Sequence, residues 1–269
     1  MGLSVVIHTY NSEKYLEKCL ESVKMADEIL ICDMYSNDRT IEIAEKYGCK
    51  IIYHENIGYA DPARNWAMNQ AANDWIFVLD SDEIAPKPLM DFLMEWSNNE
   101  ELQAHYKGMY IPRKNINIGR FLRAWYPNTL IRLFKKGYFS WPAEVHCSPT
   151  IHGGIYSINP AEHEKAIIHF SHQSIESYIT RMNIYTTLEL EKFKQRGVKF
   201  SVWYLLLRPV GEFIKRYFLK KGYKDGMQGF MFPIFVGIYK FFAIAKLWEY
   251  EYKQKTNFDD SDFPMEYPM

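Results

Sequence analysis

Glycine-rich phosphate loops are missing from this chain. Neither G-x-G-x-x-G nor G-x-x-x-x-G-K-[ST] occurs among its 269 residues, which disfavours a dinucleotide-binding Rossmann site and a P-loop. Cysteine is scarce. Cys19, Cys32, Cys49 and Cys147 are the four present, and no two are spaced as C-x-x-C. A disulfide framework is therefore not expected, and a reducing compartment is the simpler setting. Five of the eight histidines fall between His146 and His172. Their spacing fits neither H-E-x-x-H nor a Cys/His finger, so zinc is not expected. Excess charge of one sign is also lacking: the net charge is −1, which gives no global field to draw in nucleic acid. The opening MGLSVVIHTY has no basic start and no long apolar stretch, so it does not read as a secretory signal. Val6 stands where a myristoylation pattern needs Ser or Thr.

What the chain does have is core and alternation. Hydrophobic residues make up 48%, enough for one large domain or a domain with an appendage. Residues 3–7 form a β-rich apolar run, followed by Ser12 as an N-cap and apolar Tyr15, Leu16, Cys19, Leu20 and Val23 at helical spacing. The unit repeats: strand 28–32, polar turn 33–38, helix 40–47 closed by Gly48, then strand 50–53. Asp61-Pro62 starts a third helix that reaches about Ala72. Such alternation implies a parallel sheet with right-handed crossovers.

The run DWIFVLDSDE at 74–83 is the centre of this pattern. Five uninterrupted apolar residues, Trp75 to Leu79, suit a strand covered on both faces. Its acids then fall at the carboxyl end, where open α/β sheets place ligands. Asp80 and Asp82 can present oxygens to one hard divalent cation, which would keep several waters and take substrate phosphates. The alternative is a solvated acidic turn. Three of four strand ends carry polar residues toward one rim: Thr9 and Asn11, Asp33 and Ser36, Asp80 and Asp82. Without a glycine loop, a pyrophosphate on that rim needs a metal and basic side chains.

The segments SVVIHTYN (4–11), DMYSNDRT (33–40), ADPARNWAMNQAANDWIFVLDSDE (60–83) and RLFKKGYFSWPAEVH (132–146) together resemble family 2 glycosyltransferases, over about the first 170 residues. The family's fold, GT-A, is a Rossmann-like α/β sheet for nucleotide-diphospho-sugars. Within the family the chain is similar to bacterial lipopolysaccharide-core and related β-glucosyltransferases, which extend the likeness over the C-terminal helices. The resemblance implies that Thr9 and Asn11 hold the nucleobase end and that Asp33 accepts a hydrogen bond from base or ribose. It implies that Arg64 helps hold the nucleotide, that Asp80 reaches the ribose or a metal-bound water, and that Asp82 binds Mg²⁺ or Mn²⁺ directly. Asn65 serves the same site or only its helix.

Residues 86–97 read as a helix, and 108–113, 130–135 and 138–141 as strands, the last two a hairpin through Lys136-Gly137. Arg120, Arg123, Trp125 and Tyr126 lie between, suited to a sugar or phosphate acceptor and equally to packing. Arg132 reads as a phosphate ligand or a hairpin cap, and His169 as a strand-end histidine bonded in the core. Displacement at an anomeric carbon needs a base for the acceptor hydroxyl. Glu144 and His146, in WPAEVHC, are the candidates. Relatives place a carboxylate directly after this histidine, whereas here Cys147 follows, so Glu144, His146 or an acid from elsewhere could serve.

Ser174 caps a long helix over 175–196. Beyond it, residues 199–224 hold seven lysines and arginines against one acid, Glu212, among many aromatic and aliphatic side chains. The stretch 230–248 is nearly long enough to span a bilayer, but Lys240 sits near its middle, at a cost of ~2.5–3.5 kcal/mol. Three readings stand: helices lying in the membrane interface, a helical pair packed on the catalytic domain or across a dimer, and a span. The expected organisation is a GT-A domain over 1–172, a helical, membrane-associating extension over 173–255 and a disordered acidic tail over 256–269. The activity expected is inverting, metal-dependent transfer of a sugar, glucose foremost, from a UDP-sugar to a lipid-linked or cell-envelope glycan. It would take place at the cytoplasmic face of the cell membrane, with an anionic membrane surface and a second copy of the chain as further partners, and no nucleic acid. A sugar-1-phosphate nucleotidyltransferase and a non-catalytic nucleotide-binding scaffold are the rivals.

Overall fold

The computed structural model describes residues 2–56, 61–142 and 148–256, apart from the side chains of Asp61 and Pro62. Glu144, His146, Cys147 and the tail beyond Thr256 lie outside the described residues. The first half runs β1 (Leu3–Thr9), α1 (Glu13–Val23), β2 (Glu28–Asp33), α2 (Thr40–Lys46), β3 (Lys50–Tyr53), α3 (Asp61–Asn69), β4 (Trp75–Asp80), β5 (Glu83–Ile84), α4 (Lys87–Ser97), α5 (Glu100–His105) and β6 (Tyr106–Ile111). There follow β7 (Arg113–Asn117), β8 (Arg120–Phe121), β9 (Leu130–Lys135), β10 (Phe139–Ser140), β11 (Thr150–Ile151), β12 (Gly154–Ser157) and β13 (Ile167–His172). Three helices end the described chain: α6 (Ile175–Gln195), α7 (Val202–Ile214) and α8 (Gly226–Thr256). By contacts it divides into two compact units, Met1–Ile116 with Tyr126–Ser171, and Asn117–Trp125 with His172–Met269.

The first unit is built on a seven-stranded sheet in the order β12-β6-β9-β4-β1-β2-β3. Strands β1 to β4 are parallel, as their alternation with helices requires. The sheet as a whole is mixed: β9 runs antiparallel to both β4 and β6. Only short strands and a single 3₁₀ turn, Arg123–Trp125, lie between β6 and β9, with no α-helix to carry the chain back across the sheet, so β9 enters from the opposite end. With both edges of β9 taken, β10 cannot fold back on it as a hairpin. It pairs forward with β11 instead, Phe139 opposite Ile151.

All seven residues of β1 are buried, because the sheet is covered on both faces. On one face Leu3, Val5 and Ile7 pack with Leu16 and Leu20 of α1 and Leu89 and Leu93 of α4. On the other, Val6, Ile76 and Val78 pack with Ala63, Ala67 and Met68 of α3. The two faces position the β1–α1 and β2–α2 loops and the acid turn at one rim. A second sheet sets β13 between β5 and β7, with Glu83 opposite His169 and Ile84 opposite Ile168.

The second unit is helical. Ser174 accepts the Ser177 amide at 3.0 Å, an N-cap of α6. A Cβ on Gly229 would sit 2.0 Å from the Gly222 carbonyl oxygen, so only glycine allows that approach. The segment Gly222–Thr256 is long and apolar enough to cross a membrane by length and composition alone, and 33% of its apolar window is buried. Two of its lysines are engaged with α6: Lys240 with Glu189 at 3.0 Å, and Lys246 with Thr187 at 2.7 Å.

Candidate active site

Two loops at the carboxyl ends of β1 and β2 are bonded into each other. Thr9 Oγ1 donates to Asp33 Oδ1 at 2.7 Å. The Asn11 amide donates to Ser36 Oγ at 2.9 Å, the Ser12 amide to Thr40 Oγ1 at 2.7 Å and the Glu13 amide to Asp38 Oδ2 at 3.1 Å. Ser12 occupies the position before α1 but forms no side-chain cap. Asp38, from the neighbouring loop, supplies that oxygen instead. The Asn37 amide closes the set on Asn11 Oδ1 at 2.9 Å. Asn11 and Tyr35 both hold positive φ, 47° and 59°, a conformation side chains seldom adopt outside a constrained site.

Thr9, Asn11 and Asp33 are thus brought together as the sequence suggests, with much of their hydrogen-bonding capacity spent on the loops. Asp33 is fully buried and accepts three bonds, from Thr9 and from the amide and hydroxyl of Ser36. What the rim exposes beside them is aromatic. Tyr10 and Tyr35 are half or more exposed, and Tyr35 stacks on Tyr53 with centroids 5.5 Å apart.

The acid turn holds two aspartates in different surroundings. Asp80 lies between guanidinium groups, Arg64 Nη2 at 3.0 Å and Arg132 Nη2 at 2.5 Å. Burial works to raise its pKa, but Arg132 and then Arg64 outweigh it and hold the carboxyl well below the usual range. Glu83, fully buried, accepts from Arg132 at 2.9 Å, from Arg113 at 2.8 Å and from the Asp80 amide at 3.0 Å. It is the hub that aims this turn. Asp82 faces a different partner, His169 Nε2 at 3.5 Å. His169 Nδ1 lies 2.7 Å from Asn115 Oδ1, a bond that fixes the ring and aims Nε2 at Asp82. The histidine reaches the turn because β13 pairs with β5, and the Phe170 amide donates to the Asp82 carbonyl at 3.0 Å.

Arg64, Asp80, Tyr110, Arg113, Arg132 and Trp141 line a cavity of about 250 Å³. The Arg64 guanidinium lies 4.5 Å from the centre of the Trp141 ring. Asn65 holds that tryptophan in place, accepting its backbone amide at 2.9 Å and donating to its carbonyl. Fixed guanidinium and carboxylate groups beside aromatic faces suit a polar ring with several hydroxyls. Among the described residues no three of His, Cys, Asp and Glu converge as a metal cage. Asp82 and the oriented His169 are a pair, which fits a cation that completes its shell with water and substrate phosphate. Sequence reasoning missed Glu83, Arg113, Asn115 and the placement of His169. Only the carboxylate after Asp82 carried a local signal.

His8 lies under this site, on the α3 side of β1 and opposite Asp80 in the strand register. Burial first, then the charge of Arg64, lowers its pKa from 6.5 to about 3, with Asp80 pulling the other way. The unfolded chain therefore binds one more proton than the folded chain between these two values. Stability is full above pH 6.5 and falls as the pH drops toward 3. His8→Gln is expected to flatten that slope by up to ~1.4 kcal/mol per pH unit, read as the difference between urea melts of the two proteins.

The glycosyl transferase family 2 model matches residues 4–156, which contain both loops, the acid turn and the whole lining of the cavity. An uncharacterized glycosyltransferase of Rickettsia conorii is 28% identical, over 94% of this chain and 92% of its own. The lipopolysaccharide core biosynthesis glycosyltransferase LpsC of Rhizobium meliloti is 26% identical, over 97% of each. Among solved structures, mannosyltransferase PcManGT of Pyrobaculum calidifontis, in complex with GDP-Man and Mn²⁺, shares the fold with a TM-score of 0.53 at 13% identity, over 92% of this chain and 87% of that one. The chain belongs to glycosyl transferase family 2, and it is a glycosyltransferase of the GT-A fold.

Proposed function

We propose that this glycosyltransferase moves a hexose, glucose foremost, from a UDP-sugar to a glycolipid or cell-envelope glycan, with inversion and with Mg²⁺ or Mn²⁺. The observation that carries the reading is the division of labour in the acid turn, Asp80 held between arginines and Asp82 facing an oriented histidine. Asp82 and His169 would hold the cation, which supplies positive charge against the departing diphosphate. Arg64 and Asp80 bind the donor's ribose and phosphate end. Thr9, Asn11 and Asp33 keep the nucleobase loops in shape, and the exposed rings of Tyr10 and Tyr35 offer the base a face. The cavity beside Trp141 seats the sugar and keeps bulk water from it.

The acceptor proton is assigned to Glu144, with His146 as the alternative. Trp141 and Ser148, on either side of that segment, both line the cavity. LpsC acts in lipopolysaccharide core biosynthesis, as its name states, and its match over nearly the whole chain supports a lipid-linked acceptor met at the inner face of the cell membrane. Incubation with UDP-glucose and Mn²⁺ tests this. Slow release of UDP and glucose, abolished by chelation, is the expected result. Formation of UTP and glucose 1-phosphate on addition of pyrophosphate would establish a nucleotidyltransferase instead, and absence of both donor binding and turnover would overturn the reading.

A further inference from the structure

The second unit carries a surface that the transfer reaction does not use. On α7, Trp203, Leu207, Val210 and Ile214 recur at three- and four-residue spacing and so share one face. They are 72%, 63%, 54% and 46% exposed. Phe218 and Leu219 continue the exposed apolar surface in the wide turn after α7. Few monomeric surfaces leave such a contiguous stripe bare.

Charge on the same stretch is of one sign. Between 199 and 230 there are two acids, Glu212 and Asp225, and both are buried. Asp225 is ion-paired with Arg123 and bonded to its amide, and Glu212 lies 3.3 Å from Arg216. Lys199, Arg208, Lys215, Lys220, Lys221 and Lys224 are all exposed. Burial, then the charges of Arg216 and Lys215, lower the pKa of Lys220, a mark of crowded cations. A groove of about 530 Å³ runs along α7, with Trp203, Tyr204 and Leu207 at one end, Arg208 and Lys215 beside them, and Gly211 leaving open space in its floor.

We infer that the exposed face of α7 and the turn after it is a docking surface for a bilayer containing anionic lipid. Apolar side chains at one-face spacing enter the acyl boundary while the lysines stay at head-group level. The surface charge selects this occupant over a second copy of the chain, since two such faces would set cation against cation. It is an inference about the second unit alone, independent of donor and metal.

The test uses the full chain and sedimentation with vesicles of phosphatidylcholine, alone or mixed with phosphatidylglycerol. Binding to the mixed vesicles only, weakened by salt, is expected. Lys220→Gln with Lys221→Gln should lower partitioning by roughly 25-fold, about fivefold for each charge lost. Leu207→Gln with Phe218→Gln should abolish it. Both pairs are exposed, so an unchanged circular dichroism melt is expected, and it separates lost docking from lost fold. UDP release in the same preparations reports the transferase reading separately. Equal affinity for both vesicle types, no affinity for either, unaffected variants, RNA binding in place of vesicle binding, or a dimer that Leu207→Gln with Phe218→Gln dissociates would each overturn the inference.

Discussion

Asp82→Asn is expected to lower turnover of UDP-sugar by about a hundred- to a thousandfold and to leave the melting temperature unchanged. The size follows from the proposed role of Asp82, holding a cation against a leaving diphosphate in a partly dry site. The stability expectation comes from its surroundings. The Asp82 side chain is 26% exposed, and it faces His169 Nε2 at 3.5 Å. The backbone bond from Phe170 to its carbonyl survives the substitution. An amide of the same shape therefore fits without stranding a buried charge. Steady-state UDP release alongside a thermal melt reads both halves. Near-normal release by a folded variant would remove Asp82 from the site, and with it the proposed cation.

Arg132→Met should behave in the opposite way, costing ~3–5 kcal/mol of stability as well as activity. Arg132 is 3% exposed and touches Asp80 and Glu83 through one nitrogen, at 2.5 and 2.9 Å. Its loss leaves Glu83, fully buried, with Arg113 and the Asp80 amide, and Asp80 with Arg64. The pH dependence gives a second check. Asp80 has a depressed carboxyl pKa in the folded state, so its contribution is complete above the ordinary value of 3.8 and is lost as the pH falls below it. The gap between wild type and variant, measured by urea melts, should be widest near neutrality and should narrow in acid. A gap independent of pH would show that Arg132 acts by packing alone.

Much of this site was legible in the amino-acid order, because its signals are local. Unbroken apolar runs announce β1 and β4, and the residues just past them, Thr9, Asn11, Asp80 and Asp82, must then share a rim. Pairing across long distances leaves no such trace. His169 reads as an ordinary strand residue until β13 is seen against β5, which places it beside Asp82. Glu83 looks like a third acid of a solvated turn, yet it is the most buried of the three. The hairpin expected over 130–141 fails for the same reason: the partners of β9 are β4 and β6, and nothing near it in sequence says so. Asn65 could be read two ways, and the fold assigns it to the backbone of Trp141.

The mutual bonding of the β1–α1 and β2–α2 loops has a thermodynamic consequence. Segments already locked together lose little freedom when a ligand arrives, so the intrinsic contact energy reaches the observed affinity nearly undiminished. The same coupling spreads sensitivity outward. Asp38 touches the Glu13 amide and Thr40, and its side chain helps align α1 with its neighbour. Damage to that small polar clasp would blur the geometry of Thr9 and Asp33 from outside the proposed nucleotide pocket.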